Sequence, residues 1–481
     1  MFHLHIWVYD ELQSDALKKF GCFGYESDCS FERSYSFDLI NCTGKSRWPQ
    51  ANTPESHRKL FWTQADFGYV KERREQLVDI CTSDTDTGSF VSCSDQLRYC
   101  YVRNIFFHFK SLNAPSSKRY RDDVIHEGEV GGKCTVLDKE LLKRRANHKS
   151  YLQSWAHELL PFASYETFAV NAQNCDVIFD RPTIVIKLDA SVNMFHHFCD
   201  FVNLYASQHI NGSFDLDVDI VWWDTHPSGF IDSMFGVTWR AFSKHKPVEL
   251  ISLDGKKVCF RSAMLPLLAR MQYGMYYNMP LVEGCSGSGL FHAFSRHILH
   301  RLGVTQEGPL RNKVRVTLLS RSTQYRRINN EFEIINALKT ISTFEVRKVD
   351  YNSRVPFIEQ LQSTQNSDIF IGMHGSGLTH LLFLPDWAAV FEIYNCEDAD
   401  CYKDLARLRG VHYRTWQNDR KLKQQFEGKH PTMGTPHKKF TNYAFDVEEV
   451  IRIVLEMADY VWWHPEFVKA QQKLADQHSE L

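Results

Sequence analysis

The sequence predicts an α/β fold: two Rossmann-like domains facing a cleft, preceded by a Cys-rich N-terminal region. Three observations predict it. The chain has 481 residues, more than one hydrophobic core organises, so two or three domains are expected. From about residue 150 onward, short apolar runs alternate with helix-period segments, the pattern of parallel strands joined by crossover helices. Seven of the 13 cysteines fall within the first 134 residues, which sets that stretch apart. The expected boundaries are 1–150 (Cys-rich), 151–304 (first Rossmann-like domain) and 305–481 (second).

In the first region, Cys22, Cys29, Cys42, Cys81, Cys93, Cys100 and Cys134 form no CxxC pair. Disulfides are therefore expected rather than a zinc ribbon, and an odd total leaves at least one thiol without an intrachain partner. The rest of the region reads as loops, with a helix over part of 71–79. The first Rossmann-like domain reads as strand 183–188, helix 195–208, strand 218–223 and helix 290–302. In the second, strands are expected at 314–319, 344–349, 368–371, 390–394 and 412–416. The helices expected there are 331–338, 355–361, 378–384 and 447–460. Cys396 and Cys401 are expected to bridge around Asp398-Ala399-Asp400.

Lys plus Arg (56) nearly balances Asp plus Glu (58), which gives no reason to expect nucleic acid or anionic lipid as a partner. No segment is long and apolar enough to span a bilayer. The tripeptides Asn41-Cys42-Thr43 and Asn211-Gly212-Ser213 are N-glycosylation acceptors, expected at Asn41 and Asn211. The final residues His478-Ser479-Glu480-Leu481 have the form of an endoplasmic-reticulum retrieval signal, which implies its receptor as a partner. Met1 to Asp10 carries no basic n-region and no adequate apolar run, so no signal peptide is visible. A retrieval signal without an entry signal points to a shortened N-terminus.

Ligands of open α/β sheets lie beyond the carboxyl ends of strands, so the motifs there matter most. Met373-His374-Gly375-Ser376-Gly377 joins an expected strand to an expected helix. Its glycines allow close backbone approach, and amides at the helix start favour an anion. Arg321, Arg326 and Arg327 leave the end of strand 314–319 together. Their guanidinium forks match phosphate and can neutralise a diphosphate as it leaves. Glu392 ends a strand after the Gly-rich turn, where it can accept ribose hydroxyls. In the first Rossmann-like domain, Asp189, Asn193, His196 and Asp200 follow a strand end. His196 and Asp200 are four apart, on one helix face, a pair able to orient a hydroxyl and take its proton. A zinc site is disfavoured because no third ligand is near. Acidic pairs that would hold a metal against a diphosphate are poorly placed, and no P-loop or dinucleotide fingerprint occurs in context.

Several stretches resemble the EGF-directed branch of glycosyltransferase family 61. They are Trp62-Thr63-Gln64-Ala65-Asp66-Phe67-Gly68-Tyr69, residues 193–205, Thr305-Gln306-Glu307-Gly308-Pro309, residues 371–394 and Phe440-Thr441-Asn442-Tyr443-Ala444-Phe445-Asp446-Val447-Glu448-Glu449. The likeness covers nearly everything from about residue 60 onward. It implies a GT-B-like pair of Rossmann domains. It also implies an inverting enzyme that moves one GlcNAc from UDP-GlcNAc to Ser or Thr of folded EGF-like domains, as in Notch-type proteins, in the lumen of the endoplasmic reticulum. It assigns UDP to Arg321, Arg326, His374, Gly375 and Glu392, and Arg327, Ser376, Gly377 and Asn193 are expected at the donor with them. Asn193, His196 and Asp200 match the family's Asn-x-x-His-x-x-x-Asp pattern. The base is expected to be Asp200 or His196, with Asp189 behind them. One departure stands out: Lys244-His245-Lys246 occupies the place of an Asp-Tyr-Asp once proposed to bind metal. Manganese is therefore expected to be accessory at most. The alternatives are a family-61 enzyme with another acceptor, a silent EGF-binding factor, and a Rossmann oxidoreductase, which the missing dinucleotide fingerprint disfavours.

Overall fold

The computed structural model describes residues 22–26, 40–43, 53–110, 112, 116–147, 150–271, 274–277 and 281–479. The chain divides into two compact units, Met1–Gly284 and Cys285–Leu481.

The first unit begins with helices α1 (Pro54–Ala65) and α2 (Phe67–Glu75), the second covering part of the helix expected over 71–79. Thr53 caps α1 through a reciprocal bond pattern with Ser56, and the Asp66 carboxylate accepts the first amide of α2. One mixed sheet follows. Its main strands are β1 (Val78–Thr82), β2 (Phe90–Cys93), β3 (Cys100–His108), β4 (Val136–Leu137), β5 (Thr183–Lys187), β6 (Asp219–Trp223), β7 (Val248–Glu249) and β8 (Lys257–Leu265). They lie side by side in the order β7-β6-β5-β8-β3-β2-β1-β4. From β7 to β8 the pairing is parallel; from β8 to β4 it is antiparallel.

The Cys-rich stretch is thus no separate region before the sheet, as expected, but half of the sheet itself. Strand β3 runs along β8 from Lys257↔His108 to Leu265↔Cys100. Disulfides Cys81–Cys134, Cys93–Cys100 and Cys175–Cys259 fasten this half. In the parallel half every residue of β5 is buried, as suits a strand covered on both faces. Helix α3 (Met194–Asn211) follows it. Asn193 caps its start, Gly212 ends it at φ 73°, and all of 197–210 is buried.

The second unit starts earlier than the expected 304/305 boundary, because helix α4 (Gly289–Arg301) belongs to it. Its main sheet has five strands, β9 (Val314–Leu319), β10 (Phe344–Val349), β11 (Ile369–Gly372), β12 (Ala389–Glu392) and β13 (His412–Thr415). All pair in parallel, in the order β10-β9-β11-β12-β13. In chain order this is 2-1-3-4-5, a doubly wound sheet whose direction of winding reverses between β9 and β11. The crossovers include α5 (Glu331–Lys339), α6 (Phe357–Gln365) and α7 (Cys401–Arg409). Helices α8 (Val447–Trp463) and α9 (Pro465–Ser479) close the chain; α9 was not expected. Val450, Val454 and Met457 of α8 share one core with Val316, Ile371 and Phe391 of the sheet. The helix expected at 378–384 is instead a 3₁₀ segment, Ser376–Phe383, opening with Leu378 N–H donating to the Gly375 carbonyl and stopped by Pro385.

Among the described residues no helix is long and apolar enough to cross a membrane. Cys396 and Cys401, expected to bridge, are both free thiols. Asn41 and Asn211 are exposed. Glu480 and Leu481 of the retrieval-type ending, and the side chains of His478 and Ser479, lie outside the described residues, as does Cys29.

Candidate active site

Two side-chain clusters carry the chemistry, one in each unit. The first grows from the end of β5. There the Asp189 carboxylate is buried and gripped by Arg270, whose Nε and Nη2 donate to its two oxygens at 2.7 Å each. The Tyr120 hydroxyl donates to Asp189 Oδ1 at 3.3 Å, and His196 Nδ1 lies 3.3 Å from Oδ2. Burial pushes the Asp189 carboxyl up, but His196 and Arg270 outweigh it and hold the group at about 2. The carboxylate is therefore a fixed negative charge. His196 is 26% exposed, and with Nδ1 turned to Asp189 its Nε2 is left for a reacting group. Phe195 and Tyr277 flank the ring at 5.9 and 5.7 Å between centroids, and Tyr276 stacks on Phe195 at 4.8 Å. Tyr120 and Tyr276 both have left-handed backbones (φ 66° and 76°), strain of the kind that gathers at functional sites.

Asp200 does not pair with His196 as the i, i+4 spacing suggested. It is fully buried. It accepts the Asp189 backbone N–H at 3.1 Å through Oδ2, and the same oxygen lies 3.2 Å from His197 Nδ1. His197 Nε2 reaches Asp232 Oδ2 at 2.7 Å, and Asp232 also accepts Trp239 Nε1 and the Phe235 amide. Burial disfavours a charge on His197, but the two carboxylates outweigh it and raise its pKa to about 9, making it an imidazolium. The reason for the miss is geometric: a cap at Asn193 turns His197, not His196, into the core. There the Asp200 carboxylate is enclosed and spent on the Asp189 amide and His197. Asn193, expected at the donor, spends its Oδ1 on the Phe195 amide as the cap.

The second cluster sits where β9 and β11 end, at the reversal of winding. Arg326 Nη1 donates to the His374 carbonyl at 3.0 Å, and Arg321 Nε to the Tyr325 carbonyl at 2.9 Å. A Cβ on Gly375 would lie 2.4 Å from Arg321 Nη1 and 3.5 Å from Arg326 Nη1, so both guanidinium groups converge on this backbone and a side chain here would displace Arg321. Neither arginine meets a carboxylate among the described residues, and Arg326 Nε is buried without a partner. Burial, then the neighbouring Arg326 charge, lowers Arg321 to about 10. Arg326 itself holds φ 62°, fixed by its amide to the Thr441 carbonyl at 2.7 Å. Asn442 and Tyr443 continue this strap: Asn442 Oδ1 accepts the Arg327 amide, and the Tyr443 carbonyl accepts the Asn329 amide.

His374 is nearly buried, with Nδ1 2.8 Å from Glu392 Oε1 and Nε2 3.5 Å from Asp398. Glu392, expected to meet ribose, is fully buried; its other oxygen accepts the Tyr413 hydroxyl. It orients His374 and is not free for a sugar. Arg327 is exposed and donates to the Thr323 carbonyl of its own loop, so the structure does not bring it to Gly375. Ser376 and Gly377 open the 3₁₀ segment, partly exposed. Lys244 and His245 both pair with Asp217, 3.2 and 2.7 Å away. Among the described residues no group of three His, Cys, Asp or Glu side chains is arranged to hold a metal ion. Arg270, Tyr120, Asp232 and Tyr413 escaped the sequence, as did the way residues 441–443, noted only for their family likeness, hold the loop of Arg326 and Arg327.

An anion-ready parallel-sheet switch point, with a shielded His–Asp pair elsewhere in the chain, is the equipment of a transferase acting on a phosphorylated donor. The family model described as Glycosyltransferase 61 matches residues 155–391. Relatives called EGF domain-specific O-linked N-acetylglucosamine transferase are 50% identical over 93% of this chain and 84% of the dog protein, and 50% identical over 93% and 83% for the chicken protein. The Drosophila melanogaster protein of that name is 44% identical over 93% of this chain and 85% of its own length. The chain belongs to glycosyltransferase family 61, and it is an enzyme.

Proposed function

We propose that this enzyme moves one GlcNAc from UDP-GlcNAc onto a serine or threonine of a folded EGF-like domain, with inversion, in the lumen of the endoplasmic reticulum. The names of the relatives support the sugar and the acceptor. The observation that carries the donor side is the pair Arg321 and Arg326, two partly buried cations converging on Gly375 with no carboxylate between them. Such a pair is complementary to a pyrophosphate. The two-unit α/β architecture supports a GT-B-like reading. Disulfides such as Cys81–Cys134, Cys93–Cys100 and Cys175–Cys259 and the exposed sequons at Asn41 and Asn211 support a secretory setting.

In the proposed reaction the acceptor oxygen attacks the anomeric carbon, and the bond from that carbon to the diphosphate oxygen breaks. The hydroxyl proton passes to His196 Nε2. Asp189, kept anionic by Arg270, stabilises the imidazolium that forms. Arg321 and Arg326 take the charge that develops on UDP. Attack opposite the leaving group inverts the centre.

The test supplies radiolabelled UDP-GlcNAc and a folded EGF repeat to the purified protein. The expected result is one β-linked GlcNAc on Ser or Thr. His196→Ala should lower kcat by about 10²–10⁴ while still binding UDP. A fully active His196→Ala variant would remove His196 from the role of base.

A further inference from the structure

Large apolar side chains are normally left exposed singly and without consequence. In the first unit their distribution is uneven. Five stand out among the described residues: Tyr120, Val136, Tyr165, Val192 and Ile231. Three of them border the Asp189–His196 pair. The Tyr120 hydroxyl bonds to Asp189 itself. Val192 is 80% exposed and sits in the short loop whose two ends, Asp189 and His196, touch at 3.3 Å. Ile231 is 62% exposed, and its carbonyl accepts the hydroxyl of Ser191, the residue before Val192. The next residue, Asp232, is fixed by bonds from His197, Trp239 and Phe235. Both loops are thus pinned, and the apolar rim they carry is preformed.

We infer that Val192 and Ile231, with the Tyr120 ring, form the surface on which the folded acceptor domain docks to present its hydroxyl to His196. The inference rests on the functional reading above and names the part of the site that reads the acceptor. A site for a free sugar acceptor calls for polar groups that bond its hydroxyls. An exposed aliphatic pair offers none, but matches the apolar surface that a small disulfide-stapled domain, too small to bury its own, leaves outside. A rim already rigid costs little ordering when it meets a rigid partner.

The test measures transfer to a folded EGF repeat by Val192→Asp, Ile231→Asp and the milder double variant Val192→Ser with Ile231→Ser. The expected result is a KM for the repeat raised tenfold or more, with UDP affinity unchanged. An unchanged KM in the serine double variant overturns the inference, even if the aspartate variants fail to fold. Raised KM accompanied by equal loss of UDP affinity overturns it too, since the damage would then not be confined to the acceptor. A wild-type protein that leaves the repeat unmodified overturns the functional reading and the rim together, whereas unaltered variants of an active wild type overturn the rim alone.

Discussion

Arg321 and Arg326 repel one another across Gly375, and among the described residues no carboxylate pairs with either. An anion that binds both recovers that cost, so most of the donor's affinity should run through them. Arg326→Ala removes a charged donor contact worth about 1.5–3 kcal/mol. UDP affinity should fall roughly 10- to 150-fold by calorimetry, and an unchanged affinity would take Arg326 out of the site. Because arginines need no metal to neutralise a diphosphate, transfer should persist at least in part in EDTA. Transfer abolished by chelation and restored by manganese would defeat the arginine-only account. At this scale short contiguous motifs were readable as turns: Arg321 to Arg327 follows β9, and Met373 to Gly377 follows β11. The sequence was unreadable where partners lie far apart, as with Asp189 and Arg270, 81 residues away. Spacing alone also could not say which face of α3 turns inward, which is why Asp200 looked like a base; nor could a place at a strand end show that Glu392 is buried against His374 and Tyr413.

The turn from β5 into α3 is held by a buried alternation of charge: Asp232, His197, Asp200, then the Asp189 backbone. Breaking a buried ion pair leaves an uncompensated charge, so His197→Ala should cost about 3–5 kcal/mol in urea unfolding. The same element dictates a pH dependence. His197 is raised to about 9 from an ordinary 6.5, so its stabilisation is complete below 6.5 and lost as pH rises through about 9. The urea midpoint should therefore fall between pH 6.5 and 9; a flat profile there would mean that the imidazolium is not what clamps the turn. The turn after β11 makes its own prediction. Gly375→Ala places a methyl 2.4 Å from Arg321 Nη1 at φ 155°, so the guanidinium must move. UDP affinity should drop while the fold survives, and retained affinity would show that the convergence on Gly375 is incidental. Strands β9 and β10 were legible to the residue because apolar residues alternate with others along them, Val314, Val316 and Leu318 in one and Phe344, Val346 and Val349 near the same period in the other. The segment after Gly375 was not, since its apolar residues fit a 3₁₀ coil as well as an α-helix.

The Cys-rich stretch misled at the scale of the whole chain because clustered cysteines suggest a separate module, whereas here they fasten the antiparallel half of a shared sheet. No periodicity announces that half: β3 is buried over most of its length, and Asn104 interrupts it at φ 48°. The resulting asymmetry has a consequence. Cys81–Cys134, Cys93–Cys100 and Cys175–Cys259 all lie in the first unit, closing separations of 53, 7 and 84 residues. In the second unit Cys285, its first residue, is disulfide-bonded, whereas Cys396 and Cys401 are free thiols. Closing a loop of 84 residues stabilises by about 4–5 kcal/mol on the chain-entropy account. For a unit of this size about 1 kcal/mol moves a midpoint by roughly 2–4 °C. Reduction should therefore lower the melting of the first unit by several degrees while leaving in place the arginine cluster, whose own loops hold no cystine among the described residues. Calorimetry under dithiothreitol should separate two transitions, the earlier one insensitive to UDP and the later one still raised by it. A single transition that UDP no longer shifts would mean that donor binding depends on the disulfide-fastened sheet, and that the second unit does not hold the nucleotide by itself.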